Sequence, residues 1–152
     1  MSAAINAQDP GSKTVRLPTL GKHLTRVATA ARVLVVDDDA LFLQVVCGML
    51  RREGYDVFAA VSAQKALEIV KSVGPVDVVV SDILMPGMSG TELVRELAEL
   101  SPRTSSLLMT AAPLSEVAIP PDGIPVLRKP FSKQDLICAV EAALARSHSD
   151  PP

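Results

Sequence analysis

Five short apolar runs, separated by four helix-length amphipathic stretches or breaker-rich loops, constrain this chain more than any other feature. The first is Val33-Leu34-Val35-Val36, which stops abruptly at Asp37-Asp38-Asp39. Leu41, Phe42, Val45, Val46, Met49 and Leu50 then recur at helical spacing, so the unit reads as strand, acidic loop, helix. Gly54 is placed to end that helix in the left-handed conformation, and Tyr55–Ala60 reads as a second strand. Ser62 can cap a helix carrying Ala66, Leu67, Ile69 and Val70, which Gly74-Pro75 breaks before the run Val76–Val80. The loop Asp82–Met88 leads to a helix from about Ser89 to Leu100. Ser106–Thr110 and Ile124–Leu127 supply strands four and five, and Ser132 caps a last helix through about Arg146.

Strands that are apolar along their whole length must be covered on both faces, and their alternation with helices makes them parallel. The expected architecture is therefore α/β: a doubly wound, five-stranded parallel sheet with helices on both faces. One crossover breaks the pattern. Pro113, Pro120, Pro121 and Pro125 leave room only for a short helix around Leu114–Val117, so the fourth helix is expected to be short or irregular. With aromatic residues at 3%, the core has to be aliphatic.

A length of 152 residues fits one such domain, expected over 32–147, with a flexible arm at 1–31 and a short tail at 148–152. Lys13, Arg16, Lys22 and Arg26 against Asp9 give the arm a net charge of +3, leaving −5 on the remainder. A mildly acidic body without an aromatic-studded basic stripe argues against direct nucleic-acid binding. Cys47 and Cys138 have no metal-ligand or redox spacing, so both are expected to be buried thiols. No run of 18 apolar residues exists, and Met1–Ala31 lacks the apolar stretch of a signal peptide. A cytoplasmic protein with no membrane insertion is the expectation.

In doubly wound folds, ligands bind beyond the carboxyl ends of the strands. There strand one ends in Asp37 and Asp38, strand three in Asp82 and strand four in Thr110, while Lys129 follows strand five. Any one of these could be a cap or turn residue, but together they describe a site. Clustered carboxylates repel one another unless a cation lies between them. An oxygen-only donor set with no His or Cys nearby favours Mg²⁺, with Mn²⁺ as a substitute, over zinc. Mg²⁺ is suited to phosphate chemistry, in which the protein supplies a nucleophile, positioning and charge compensation. Asp82 is the candidate nucleophile, since a carboxylate can form an aspartyl phosphate. Asp37 and Asp38 are candidate metal ligands, and Thr110 and Lys129 candidate contacts to phosphoryl oxygens.

Val33–Asp39, Ser81-Asp82-Ile83-Leu84-Met85-Pro86-Gly87-Met88-Ser89-Gly90, Met109-Thr110-Ala111 and Lys129-Pro130-Phe131 resemble, in order and spacing, the signature segments of the response-regulator receiver family over about residues 32–146. The resemblance implies a flavodoxin-like sheet order 2-1-3-4-5. It also implies Asp82 as phosphoacceptor, and Asp37, Asp38, Asp82 and the Leu84 backbone carbonyl as metal ligands. Thr110 would be the switch hydroxyl, and Lys129 the phosphate-pairing cation before a cis proline. Asp39 is expected to be a helix cap outside the ligand set. The implied partners are a sensor histidine kinase and a histidine phosphotransfer protein or regulated target. Since nothing after Arg146 is long enough for an effector, a stand-alone receiver that does not turn over an external substrate is expected. Gly11–Pro18 is similar to the closing strand of a histidine-kinase ATP-binding domain, which implies kinship with the receivers of hybrid kinases; chance similarity in a short basic segment is the competing account.

Two departures from the family pattern stand out. Val126 occupies the place, three residues before the lysine, where receivers carry Tyr or Phe, which removes the usual aromatic readout. Partners are then expected to read the first helix with the loop after strand five. Leu84 and Ala112, two residues beyond Asp82 and Thr110, offer no polar side chain to assist an attacking water, so slow self-dephosphorylation is expected. Two alternatives remain: a degenerate receiver that only binds proteins, and a haloacid-dehalogenase-type phosphatase using Asp37. The second places Leu41 where that family expects Thr or Val.

Overall fold

The computed structural model describes residues 29–117, 120–121 and 123–148. The basic arm expected at 1–31 falls almost wholly outside the described residues, and so does the tail beyond His148. The elements run β1 (Arg32–Val36), α1 (Ala40–Arg52), β2 (Asp56–Ala60), α2 (Ala63–Val73), β3 (Val78–Asp82), α3 (Gly90–Leu100), β4 (Ser105–Thr110), a 3-10 turn (Leu114–Glu116), β5 (Val126–Arg128) and α4 (Lys133–His148). The five strands form one parallel sheet in the order β2-β1-β3-β4-β5, as expected.

Alternation along the strands divides the core in two. Val33 and Val35 of β1 and Val78 and Val80 of β3 pack with Leu43, Val46 and Leu50 of α1 and Leu136 and Val140 of α4. Leu34, Val36 and Val79 face the other way, onto Ala66 and Val70 of α2 and Leu93 and Leu97 of α3. Each fully buried Leu or Val stabilises the fold by roughly 1.5–3 kcal/mol relative to its exposure.

The helix starts follow the sequence signals. Asp39 accepts from the backbone N–H groups of Leu41 and Phe42, and Ser62 accepts from that of Lys65. Ser89 and Glu92 form a reciprocal capping box at α3. Ser132 and Asp135 repeat it at α4, with bonds of 3.0 and 3.2 Å. Gly54 has φ +98°, the left-handed conformation expected of it.

Three expectations need correction. Strand β3 begins at Val78 rather than Val76 and extends to Asp82. Asp77 still bonds both neighbouring strands through its backbone, donating to Arg32 O at 2.9 Å and accepting from Ser105 N at 3.0 Å, while its carboxylate takes the Arg32 backbone N–H at 2.7 Å. Strand β5 begins at Val126 rather than Ile124, because Pro125 has no N–H to donate and joins the sheet only through its carbonyl, which accepts from Leu108 N at 3.0 Å. Cys138 is exposed on α4, while Cys47 is buried in α1 as expected. Burial pushes the Cys47 thiol pKa up, with Arg51 opposing. The proline-rich fourth crossover holds only the 3-10 turn among its described residues, so the described helices number four and the C-terminal one is α4.

Candidate functional site

Order in the sheet reverses between β1 and β3, and the strand ends there bring the predicted acids together. Carboxylate oxygens of Asp37, Asp38 and Asp82 lie within 4.8 Å of one another. Asp37 and Asp82 are buried and Asp38 is exposed, so the cluster is open to solvent on one side. Lys129 closes another side. Its ammonium lies 2.8 Å from Asp37 Oδ2 and 3.2 Å from Asp82 Oδ1, bridging two strands from the far end of the sheet. The Lys129-Pro130 peptide is cis, as the resemblance implied.

Local bonds hold each group in place. Asp37 N donates to Ala60 O at 3.1 Å, and its Oδ1 accepts from Asp39 N at 2.9 Å, so its other carboxylate oxygen is left for Lys129. Thr110, buried at the end of β4, stands one residue beyond Met109, the partner of Asp82. Its Oγ1 accepts from Ala112 N at 3.1 Å, and its carbonyl accepts from Lys129 N at 2.8 Å. Leu84 lies two residues past Asp82 in the loop leaving β3 and is 52% exposed. That loop is pinned next to it: Ile83 N donates to Met109 O and Gly90 N to Ile83 O, both at 2.8 Å.

The electrostatics reflect the crowding. Burial pushes the Asp82 carboxyl up from its ordinary 3.8 to about 6; Lys129 opposes the rise and the Asp37 and Asp38 charges add to it. For Lys129, burial pulls downward but is outweighed by the bond to Asp37 and the charges of Asp82 and Asp37, so its pKa is raised and it stays cationic. Three carboxylates against one ammonium leave net negative charge. An oxygen-only donor set of this spacing suits a hard divalent cation, and the exposure of Asp38 leaves room for the waters Mg²⁺ retains.

Several residues at the site carried no assigned role in the sequence. Phe42, read as one apolar position of the first helix, places its ring centroid 4.2 Å from the Lys129 ammonium and meets Phe131 edge-on at 5.8 Å and 76°. Two of the chain's three phenylalanines thus flank the lysine, and that concentration was the available signal. Buried Ser81 donates to the Asp82 carbonyl at 2.9 Å. Gly90 is required by contact: a Cβ there would collide with the Asp82 carbonyl oxygen and lie 2.9 Å from its carbonyl carbon.

A family model described as response regulator receiver domain matches residues 33–141. Among solved structures, the chain resembles a response regulator receiver domain from Clostridium thermocellum (30% identity, 78% of this chain and 98% of that one, TM-score 0.67). It also resembles the signal receiver domain of an HD domain-containing protein from Pseudomonas fluorescens Pf-5 (29% identity, 85% and 97%, TM-score 0.76). A third similar structure is the receiver domain of the hybrid histidine kinase CckA (27% identity, 75% and 99%, TM-score 0.65). With the family model covering most of the described fold and the sheet order matching, the chain belongs to the response regulator receiver domain family of two-component systems.

Proposed function

We propose that this receiver accepts a phosphoryl group on Asp82 in a Mg²⁺-dependent reaction, taking it from a histidine kinase and serving as a phosphorylation switch or relay intermediate. The observation that carries this reading is the Lys129 ammonium bridging Asp37 and Asp82 beside a three-carboxylate cluster at the switch point of the sheet. A carboxylate oxygen of Asp82 attacks the phosphorus of a phosphohistidine in line. The O–P bond forms as the P–N bond breaks, and the electron pair leaves on the imidazole nitrogen. Lys129 moves its pairing from Asp82 to a phosphoryl oxygen, and the Thr110 hydroxyl turns toward another. Asp37, Asp38, Asp82 and the Leu84 carbonyl would hold Mg²⁺, which when bound offsets the charge of the carboxylates and of the incoming phosphoryl group.

The phosphodonor is a protein in this reading. Leu41, Val61, Leu84 and Leu114 all expose large apolar side chains just beyond the carboxyl ends of strands β1 to β4, and Val45 continues from Leu41 along α1. Apolar residues around a charged centre fit a macromolecular partner better than a small anion. Among the described residues no helix is long and apolar enough to cross a membrane, and a cytoplasmic site of action accords with a kinase partner.

Intact mass after incubation with Mg²⁺ and acetyl phosphate tests the chemistry. A gain of one phosphoryl group that disappears in Asp82→Asn and with EDTA is expected. A folded protein that gains no mass from acetyl phosphate or from phosphorylated kinases would favour a receiver that only binds proteins.

A further inference from the structure

We propose that Phe42 is a positioning residue for Lys129: its ring face, braced by an edge-to-face contact with Phe131, holds the ammonium where it spans Asp37 and Asp82. The inference rests on the proposed pairing of Lys129 with the phosphoryl group. An ammonium has three donors. The Asp37 and Asp82 carboxylates, at 2.8 and 3.2 Å, occupy two sides of it, and the Phe42 ring stands on another with its centroid 4.2 Å away. A cation over a ring face is attracted by the negative charge there, and more strongly where water is scarce. The Lys129 side chain is only 15% exposed.

The ring is itself held. Phe131 follows Lys129 by two residues and meets Phe42 at 76°, the edge-to-face geometry that aromatic pairs prefer. The pair thus ties α1 to the loop that carries the lysine. Both rings are partly buried and pack on the same core cluster as Leu43 and Leu136, so neither is free to swing away. An aliphatic residue at 42 would fill the same helical position. It would leave that side of the ammonium without a partner and let the long lysine chain sample solvent. Asp82 would then meet the donor with its compensating charge out of place part of the time.

The test compares Phe42→Leu, Phe42→Tyr and Lys129→Met with the parent protein, alone and as the double variant Phe42→Leu/Lys129→Met. The initial rate of phosphorylation by acetyl phosphate at saturating Mg²⁺ is one readout. The chemical shift of the Lys129 ε-methylene protons in metal-free protein is the other. Phe42→Leu is expected to slow phosphorylation roughly threefold to tenfold, the range set by a half-buried cation–π contact. Phe42→Tyr, which keeps the ring, should restore the rate, and the Leu change should have no further effect once Lys129 is Met. The ε-methylene protons should lie upfield in the parent and Tyr proteins and return to ordinary lysine values in Phe42→Leu. The proposal is overturned if Phe42→Leu keeps the parent rate and shift, or if it slows the Lys129→Met protein by the same factor, which would mark a packing role. If the parent protein is not phosphorylated at all, the reading of Asp82 fails while the proton shifts still decide whether Phe42 holds Lys129.

Discussion

Asp82 is held in a position that costs the metal-free fold stability. Burial raises its carboxyl to about 6 from an ordinary 3.8, so the folded protein keeps a proton that the unfolded chain releases. The stabilising contribution of that proton is fully present below about 3.8 and is lost as pH rises through 6. Without metal, Asp82→Asn should therefore stabilise the protein at pH 7.5 by roughly 1–3 kcal/mol, with the gain shrinking as pH falls toward 4. Thermal melts at the two pH values check the sign. Added Mg²⁺ should raise the melting temperature of the parent protein and have much less effect on the Asn variant. A second prediction at this scale concerns Leu84 and Ala112. Neither side chain can orient a water at the aspartyl phosphate, so the phosphorylated protein, freed of donor and partner, should keep its label for many minutes. Loss within seconds, followed by intact mass, would show that another group activates the water. That Asp37, Asp38, Asp82, Thr110 and Lys129 gather at one rim of the sheet was legible in the sequence because polar residues at the ends of apolar strands stand out against their surroundings. Phe42 was not, because helical periodicity tells which face of α1 is apolar but not that Lys129 lies across it.

Among the elements, α3 meets the end of β3 at close quarters. Gly90 N donates to Ile83 O, and the absent Cβ of Gly90 allows the Asp82 carbonyl to approach the first turn of the helix. Gly90→Ala should force α3 away from the carboxyl end of β3, costing roughly 1–3 kcal/mol of stability by overpacking. It should also lower acetyl-phosphate labelling by displacing Asp82. Denaturant unfolding and the labelling rate measure the two effects separately. The elements themselves were largely legible from the sequence, since whole apolar runs and capping residues such as Ser62, Ser89 and Ser132 mark them locally. Boundaries set by distant partners were not. Strand β3 starts two residues later than expected, where the Asp77 carboxylate takes the backbone N–H of Arg32, 45 positions away, and β5 loses its start to Pro125. The fourth crossover was readable as irregular because four prolines leave little else, yet its packing was not. Val117 and Ile124 of the crossover, with Val126 at the start of β5, pack on the second core cluster by contacts no periodicity encodes.

At the scale of the whole molecule, the exposed apolar residues are unevenly placed. Leu41, Val45, Val61, Leu84 and Leu114 stand toward the carboxyl edge of the sheet, and among the described residues only Val73 and Leu100 of the large exposed hydrophobics lie at helix ends on the opposite side. If the kinase or phosphotransfer partner docks on α1 and the adjoining loops, Leu41→Glu/Val45→Glu should slow transfer from the phosphorylated partner at least tenfold, since two apolar interface contacts are lost. Labelling by acetyl phosphate, which needs no docking, should be unchanged. Equal loss in both assays would locate the defect in the site instead. The Lys129–Asp37 bond joins residues 92 positions apart, and it forms only when β1 and the loop after β5 are both in place. A nascent chain on the ribosome therefore carries Asp37, Asp38 and Asp82 well before the lysine that faces them has been made. The pairing of Lys129 with Asp37 waits until almost the whole domain has emerged, so the site is completed together with folding rather than ahead of it.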